Sequence, residues 1–277
     1  MQSKPCVLVF SATDPTCGAG MQADVLTLSA LGVHPVSVIT AVSVQDTSGV
    51  NSLYPLDAHI VQEQAEVAIA DIPIAAVKIG LLGTPQNLFV LVDIIHKLRL
   101  TSPDLPVICD PVLASGRGDA LFTADMFSVF VDALFPLLTL LTPNMHEARK
   151  LCTFLRLRDC ADHVRANDTL EFEAVDLAST LLTCGCANVL ITGTDVDTVD
   201  VLHVLYSHEG FIRDYICERL PLAYHGSGCT LAAAISAFVL DGLDLAEAIQ
   251  KAQDFTWNAL NQAFKVGHGQ YIPNRLF

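Results

Sequence analysis

Short apolar runs alternate with amphipathic stretches along almost the whole chain, and that alternation leaves few architectures open. Val7-Leu8-Val9-Phe10, Val36 to Val42, Ala75 to Ile79, Val107-Ile108-Cys109, Leu138 to Leu141 and Asn188 to Thr192 read as strands. Between them, Met21 to Leu31, Ala58 to Ala70, Pro85 to Arg99, Asn144 to Leu155 and Ala174 to Cys184 read as helices. Gly32 ends the first of these and Asn144 caps the fourth. Strands that alternate with helices pair in parallel, and the helices cover both faces of the sheet. Val199 to Tyr206 and Phe211 to Cys217 flank His208-Glu209-Gly210 and read as a hairpin, which gives the sheet an antiparallel edge. Two further helices start at Thr230 and Leu245. The expectation is an α/β chain with three αβα layers and a single domain over residues 1–277, with the charged stretch Arg156 to Asp168 as a surface loop.

Composition narrows the partners. The formal charge is −15, which argues against nucleic acids and anionic membranes. No apolar run is long enough to span a bilayer, and Met1-Gln2-Ser3-Lys4-Pro5 is too polar for a signal peptide, so a cytoplasmic protein is expected. The nine cysteines are scattered through apolar segments. Cys184-Gly185-Cys186 lacks zinc-knuckle spacing, so buried thiols are expected there. Any anionic ligand must then be held by local devices: helix N-termini, a metal ion or one or two placed cations.

Ligands of parallel sheets gather beyond the carboxyl ends of the strands. There the chain places Ala12 to Gly20, then Ser43 and Gln45, then Gly80 to Gly83, then Asp110-Pro111-Val112, then Thr142-Pro143-Asn144 with Glu147. Gly18-Ala19-Gly20-Met21-Gln22-Ala23 matches the dinucleotide fingerprint, but the second strand ends without the acidic residue that would hold a ribose. Asn144 followed by Glu147 can be a capping pair or a metal or phosphate site, and Asp110 can be a turn-forming residue or a metal ligand. Lys78 is either a structural charge or a phosphate partner.

His225-Gly226-Ser227-Gly228-Cys229-Thr230 runs directly into the apolar stretch Leu231 to Phe238. The first N–H groups of a helix have no internal partner, and the dipole makes that end positive. Glycines on both sides of Ser227 let those amides close around an anion, such as a phosphoryl group in flight. The same helix end favours a thiolate, so a lowered pKa is expected for Cys229.

These residues together resemble the hydroxymethylpyrimidine/phosphomethylpyrimidine kinases of thiamine synthesis. The resemblance rests on Ala12 to Asp24, Ser37 to Ala41, Ala76 to Gly80, Asp110 to Leu113, Gly118 to Leu121, Leu141 to Asn144 with Glu147-Ala148, His225 to Thr230 and Gly267-His268-Gly269. It implies a ribokinase-like fold, ATP and Mg²⁺ as cofactors, a small pyrimidine alcohol as substrate and a homodimer. It further implies that Gly226, Ser227 and Gly228 hold the transferred group and Cys229 acts as base, and that Ala12, Asp24, Ser43, Gln45 and Leu81 form the acceptor pocket. Glu147 and Asp110 would face the metal, and Asn144, Thr192 and Thr194 the nucleotide. Where the family pattern has Lys-Gly-Gly-His, this chain has Thr192-Gly193-Thr194-Asp195, so a cation is missing and Arg117 is the expected substitute. Two alternatives stay open: a pyridoxal kinase, whose acceptor is also a flat heterocycle bearing a hydroxymethyl group, and a catalytically weak binding protein.

Overall fold

The first strand explains the layering. In the computed structural model, which describes residues 4–113, 122, 124–159, 173–193 and 199–277, β1 (Cys6–Thr13) is buried from Val7 to Phe10 on both faces. Alternate side chains of a strand point to opposite faces. Leu8 and Phe10 accordingly pack with Val61, Leu88, Leu91, Phe130, Leu151 and Leu177. Val7 and Val9 pack on the other face with Met21, Leu28, Ala233 and Ala237. Further along that second face, Ile108, Leu140, Leu190 and Leu205 meet Ile235, Ile249 and Ala252. Two apolar layers separated by one sheet give the expected αβα sandwich.

The described strands form one nine-stranded sheet in the order β3-β2-β1-β4-β5-β6-β7-β8-β9. Its parallel core comprises β2 (His34–Gln45), β1, β4 (Ala76–Ile79), β5 (Val107–Cys109), β6 (Leu140–Leu141) and β7 (Asn188–Thr192). The hairpin of β8 (Asp200–Ser207) and β9 (Gly210–Glu218) adds the expected antiparallel edge. A second antiparallel edge, β3 (Val50–Pro55), pairs with the long end of β2 and was not anticipated. Chain order turns round between β1 and β4, and a sheet opens a crevice at such a switch point.

Helix boundaries follow local chemistry. α1 (Gly20–Ala30) ends at Leu31, and Gly32 adopts a left-handed φ of 79°. α2 (Ala58–Asp71) is capped by Asp57, which accepts from His59 N–H. α3 (Pro85–Arg99) has Thr84 as cap and proline at its start. α4 (Ala124–Val129) passes into a wider π turn over Phe130–Leu134. α5 (Met145–Asp159) runs past Leu155, so the start of the expected surface loop at Arg156 is helical; the remainder of that loop lies outside the described residues. α6 (Ala174–Thr183), α7 (Ser227–Phe238) and α8 (Leu245–Asn261) complete the helical layers. No described helix is long and apolar enough to cross a membrane.

One buried amide braces the crevice. Asn87, in the first turn of α3, is fully buried. Its Nδ2 donates to the Leu82 carbonyl at 2.9 Å and the Thr40 carbonyl at 3.2 Å, and reaches Leu56 O at 3.4 Å. Thr40 Oγ1 donates to Leu81 O. The end of β2 and the loop after β4 are thereby fixed to each other. Asn87→Leu takes the buried donor from the Leu82 carbonyl, while Thr40 O keeps its bond from Leu56 N, and is expected to cost about 2 kcal/mol, read by denaturant unfolding; an unchanged midpoint would contradict the bracing role.

Candidate active site

A cavity of about 590 Å³ opens at the carboxyl ends of the parallel strands. Two segments meet at its floor, the loop of residues 14–20 that leads into α1, of which Ala19 and Gly20 line the cavity, and residues 225–229, which enter the first turn of α7. Asp14 organises the first loop. Its Oδ1 accepts from Thr16 N and Oγ1, both at 2.8 Å, and its Oδ2 accepts from Ala19 N at 2.7 Å. His225 Nε2 lies 2.9 Å from the same Oδ2 and joins the second loop to the first. Burial alone would raise the Asp14 pKa, but the bonds from His225, Ala19 and Thr16 outweigh it and hold the carboxyl below the usual range.

The second loop is built as the sequence suggests. Gly226 sits at φ 86°, and a Cβ there would run into the Gly18 carbonyl. The first internal bond of α7 goes from Thr230 N–H to Gly226 C=O at 3.0 Å. The amides of Ser227, Gly228 and Cys229 therefore have no acceptor within the helix, and all three residues line the cavity. Gly228 faces Asp110, whose carboxylate would lie 3.6 Å from a Cβ at that position.

Cys229 departs from expectation. Its thiol is pushed up to about 12, not lowered. Burial is the main cause, and the negative charges of Asp110 and Asp24 add to it; Lys78 and the Gly20 amide only partly offset them. The helix dipole that a sequence reveals is outweighed by carboxylates that it does not place. The thiol stands close to the Asp110 carboxylate and favours its ionised form.

Asp24 is also corrected. It does not line the cavity: its side chain is fully buried, with Lys78 Nζ 2.8 Å and 2.9 Å from its two carboxylate oxygens. Lys78 is equally buried and is not available to a phosphate. It stays charged, with a raised pKa, because Asp24, Cys229 and Asp110 surround it against the cost of burial. Asp24 therefore serves as the counter-ion of that lysine.

The other expected acceptor residues, Ala12, Ser43, Gln45 and Leu81, line one end of the cavity, and Val50 and Leu53 of the unforeseen β3 join them. Asn144, Thr192, Asp110 and Glu147 line the middle. Asn144 and Glu147 form a reciprocal capping box: Glu147 N donates to Asn144 Oδ1 at 2.8 Å, and Asn144 N donates to Glu147 Oε2 at 3.1 Å. Burial and Asp110 raise Glu147 to about 7, against the Asn144 and Leu113 amides. Burial likewise raises Asp110, against Lys78 and Cys229. Thr194 and Arg117 lie outside the described residues. A cation unnoticed in the sequence, Arg219 at the end of β9, lines the cavity beside Thr192 and donates to Gly193 O at 3.4 Å.

His203 on β8 lines the same region, buried, with Nδ1 accepting from Gly193 N–H at 3.4 Å. Burial lowers its pKa to about 4. The unfolded chain takes up a proton at His203 near pH 6.5 and the folded chain does not, so stability falls as pH drops from 6.5 towards 4. The loss from this residue is expected to reach about 3 kcal/mol. His203→Gln should flatten the pH dependence of unfolding over that window; an unaltered slope would count against it. The cradle makes a separate prediction. Gly226→Ala should cost at least about 2 kcal/mol, from a positive φ and a backbone collision, whereas Gly228→Ala should shift stability by less than about 1 kcal/mol. Equal losses in denaturant unfolding would show that the loop is not held as described.

A sequence model of the phosphomethylpyrimidine kinase family matches residues 14–274. The hydroxymethylpyrimidine/phosphomethylpyrimidine kinase of Escherichia coli is 33% identical over 264 residues, covering 95% of this chain and 94% of that protein. The enzyme of the same name from Streptomyces coelicolor is 34% identical over 268 residues, covering 96% and 92%. Among solved structures, Staphylococcus aureus pyridoxal kinase in complex with AMP-PCP and pyridoxal superposes with a TM-score of 0.82 at 23% identity, covering 99% of this chain and 94% of that one, a likeness of fold. Phosphomethylpyrimidine kinase from Clostridium difficile gives 0.73 at 27% identity, covering 93% and 100%. The αβα layering, the two loops that meet at Gly18 and Gly226 and these similarities agree, and the chain belongs to the phosphomethylpyrimidine kinase family.

Proposed function

We propose that the protein transfers the γ-phosphoryl group of ATP to the hydroxymethyl oxygen of 4-amino-5-hydroxymethyl-2-methylpyrimidine, and then to the resulting monophosphate, in thiamine biosynthesis. The observation that carries this reading is one continuous cavity. It is lined by Ala12, Ser43, Val50, Leu53 and Leu81 with the Gln45 amide towards one end, by Thr192 and Arg219 towards the other, and by the first residues of α7 between them. Phosphoryl transfer needs in-line positioning and charge stabilisation more than covalent chemistry.

Gln45 meets the ring nitrogen and exocyclic amine of the pyrimidine with two hydrogen bonds, and Ala12, Ser43 and Leu81 flank the ring. Asn144, Thr192 and Arg219 take the triphosphate, Arg219 in place of the family's lysine. The amides of Ser227, Gly228 and Cys229 point at the equatorial oxygens where charge gathers during transfer.

Among the described residues, no cluster of three or more His, Cys, Asp or Glu is arranged to hold a metal ion. Asp110 and Glu147 nevertheless fit Mg²⁺: Asp110 raises the pKa of Glu147, so the two carboxylates gain from a shared cation, and Mg²⁺ typically binds one or two carboxylates together with substrate phosphates and waters. When bound, Mg²⁺ would neutralise charge on the phosphates. A homodimer is proposed through the β2–β3 edge, where Val42 and its cross-strand neighbour Tyr54 are both exposed, in a cytoplasmic enzyme.

An alcohol must lose its proton as it attacks. A thiol held near 12 is a poor resting thiolate, so Cys229 works as a relay: its sulfur accepts the hydroxymethyl proton as its own proton passes to Asp110. Asp110 is a stronger base than an ordinary aspartate because it is buried. The monophosphate is already ionised and needs no such relay. Cys229→Ala is expected to slow the first phosphorylation by at least about 100-fold and the second by less than about tenfold. A coupled ATP-consumption assay on the alcohol, its monophosphate and pyridoxal measures both. Equal losses in the two steps would contradict the relay, and a higher kcat/KM for pyridoxal would move the reading to the vitamin B6 alternative.

A further inference from the structure

Arg275 lies in the tail that follows α8, next to exposed Leu276 and Phe277, yet it is itself only 2% exposed. A buried guanidinium is costly unless its donors are paired, and this one is paired without any carboxylate. Nε donates to Thr230 Oγ1 at 3.0 Å, Nη1 to the Cys17 carbonyl at 3.3 Å, and Nη2 to the Gly18 carbonyl at 2.6 Å and the Gly226 carbonyl at 3.5 Å. Every acceptor belongs to the two loops that floor the cavity or to the first turn of α7. An apolar side chain at this spot would leave the Cys17 and Gly18 carbonyls without this donor, so the fork holds the two loops as well as filling space.

The tail is drawn into place by the site. Gly269 N donates to Thr47 Oγ1 at 2.9 Å and Gln270 N to Thr47 O at 2.8 Å. Tyr271 N donates to Ala223 O at 2.9 Å, and His225 N returns a bond to Tyr271 O at 2.9 Å. Phe264 and Ile272 exchange two backbone bonds, and Asn274 N donates to Ala259 O at 2.9 Å. The tail thus passes the acceptor end of the cavity, then the entry to the cradle, before it delivers Arg275 beneath the point where the two loops meet.

We infer that Arg275 is a positioning residue for phosphoryl transfer, a cation set behind the anion cradle that fixes its backbone through the carbonyl side. The Gly226 carbonyl and the Ser227 N–H are two ends of one peptide unit, so a donor on the carbonyl orients the amide towards the transferred group and polarises it. Thr230 Oγ1 donates to the same Gly226 carbonyl at 2.7 Å while it accepts from Arg275, which ties the first helical turn into the arrangement. A lysine offers one compact ammonium and cannot span four acceptors on two loops. The permanent charge of the guanidinium also favours the negative charge that builds in front of the cradle.

The inference rests on the kinase reading, and its test separates the two. The full chain is assayed with ATP and each of the three acceptors, as wild type, Arg275→Met, Arg275→Lys and Arg275→Ala, with thermal unfolding recorded for each. Expected in Arg275→Met is a fall in kcat of about 100-fold with the acceptor KM changed less than about threefold, as for a small misplacement of reacting groups. Arg275→Lys should recover little, and millimolar guanidinium should restore at least about tenfold to Arg275→Ala. Wild-type kcat in Arg275→Met or Arg275→Lys would overturn the inference, and so would a loss that follows thermal unfolding with no rescue by guanidinium. If Arg275→Met does not fold, Arg275→Lys and the guanidinium rescue decide by the same criteria. A wild-type chain inactive on all three acceptors contradicts the kinase reading instead.

Discussion

Two backbone loops, residues 14–20 and 225–229, come together so closely at Gly18 and Gly226 that a methyl group on Gly226 has nowhere to go. The rest of the site depends on that meeting. It is fixed by Asp14, which caps its own loop and receives His225 from the other, and by Arg275, which pairs the carbonyls that the approach would otherwise leave buried. Each device satisfies main-chain groups, so the amides of Ser227, Gly228 and Cys229 are presented without competing partners. A donor set that is already in place needs no reorganisation when charge develops before it.

Beneath the cradle, one lysine sits among buried carboxyl groups and the neutral Cys229 thiol. Lys78 is clamped by Asp24 and lies near Asp110 and Cys229. The cation held there offsets part of the rise that burial imposes on the Asp110 pKa. Removal of Asp24 would leave Lys78 charged and unmatched in the interior, a far larger penalty than the loss of a surface pair. The same groups explain why the thiol is not acidic: a helix N-terminus contributes part of a charge, and two carboxylates oppose it.

Much of this was legible in the sequence. The strands β1, β4, β5 and β7 are short apolar runs with turns at their ends, and the cradle is a glycine pair ahead of an apolar helix, both of them local signals. β3 was missed because it is a half-exposed edge strand with no clean alternation, from Val50 to Pro55. Asp24 was placed in the pocket by the family resemblance alone, and the lysine that claims it lies 54 residues away on another element. Arg275 gave no signal at all, since a lone arginine in a short tail is ordinary until folding brings it under the loops. Arg219 was hidden likewise, at the end of a hairpin strand read only for its pattern. Local periodicity reports the layers, and pairings across the sheet decide the electrostatics.

The central claim is that the helix amides at residues 227–229 receive the phosphoryl group while the acceptor oxygen stands beside Cys229. A crystal structure with a non-hydrolysable ATP analogue, Mg²⁺ and the pyrimidine alcohol bound together tests it most directly. The account predicts γ-phosphate oxygens within hydrogen-bond reach of those amides, about 2.7–3.2 Å, and the hydroxymethyl oxygen between Cys229 and the phosphorus. A γ-phosphate seated elsewhere, with the amides of α7 facing only water, would contradict it.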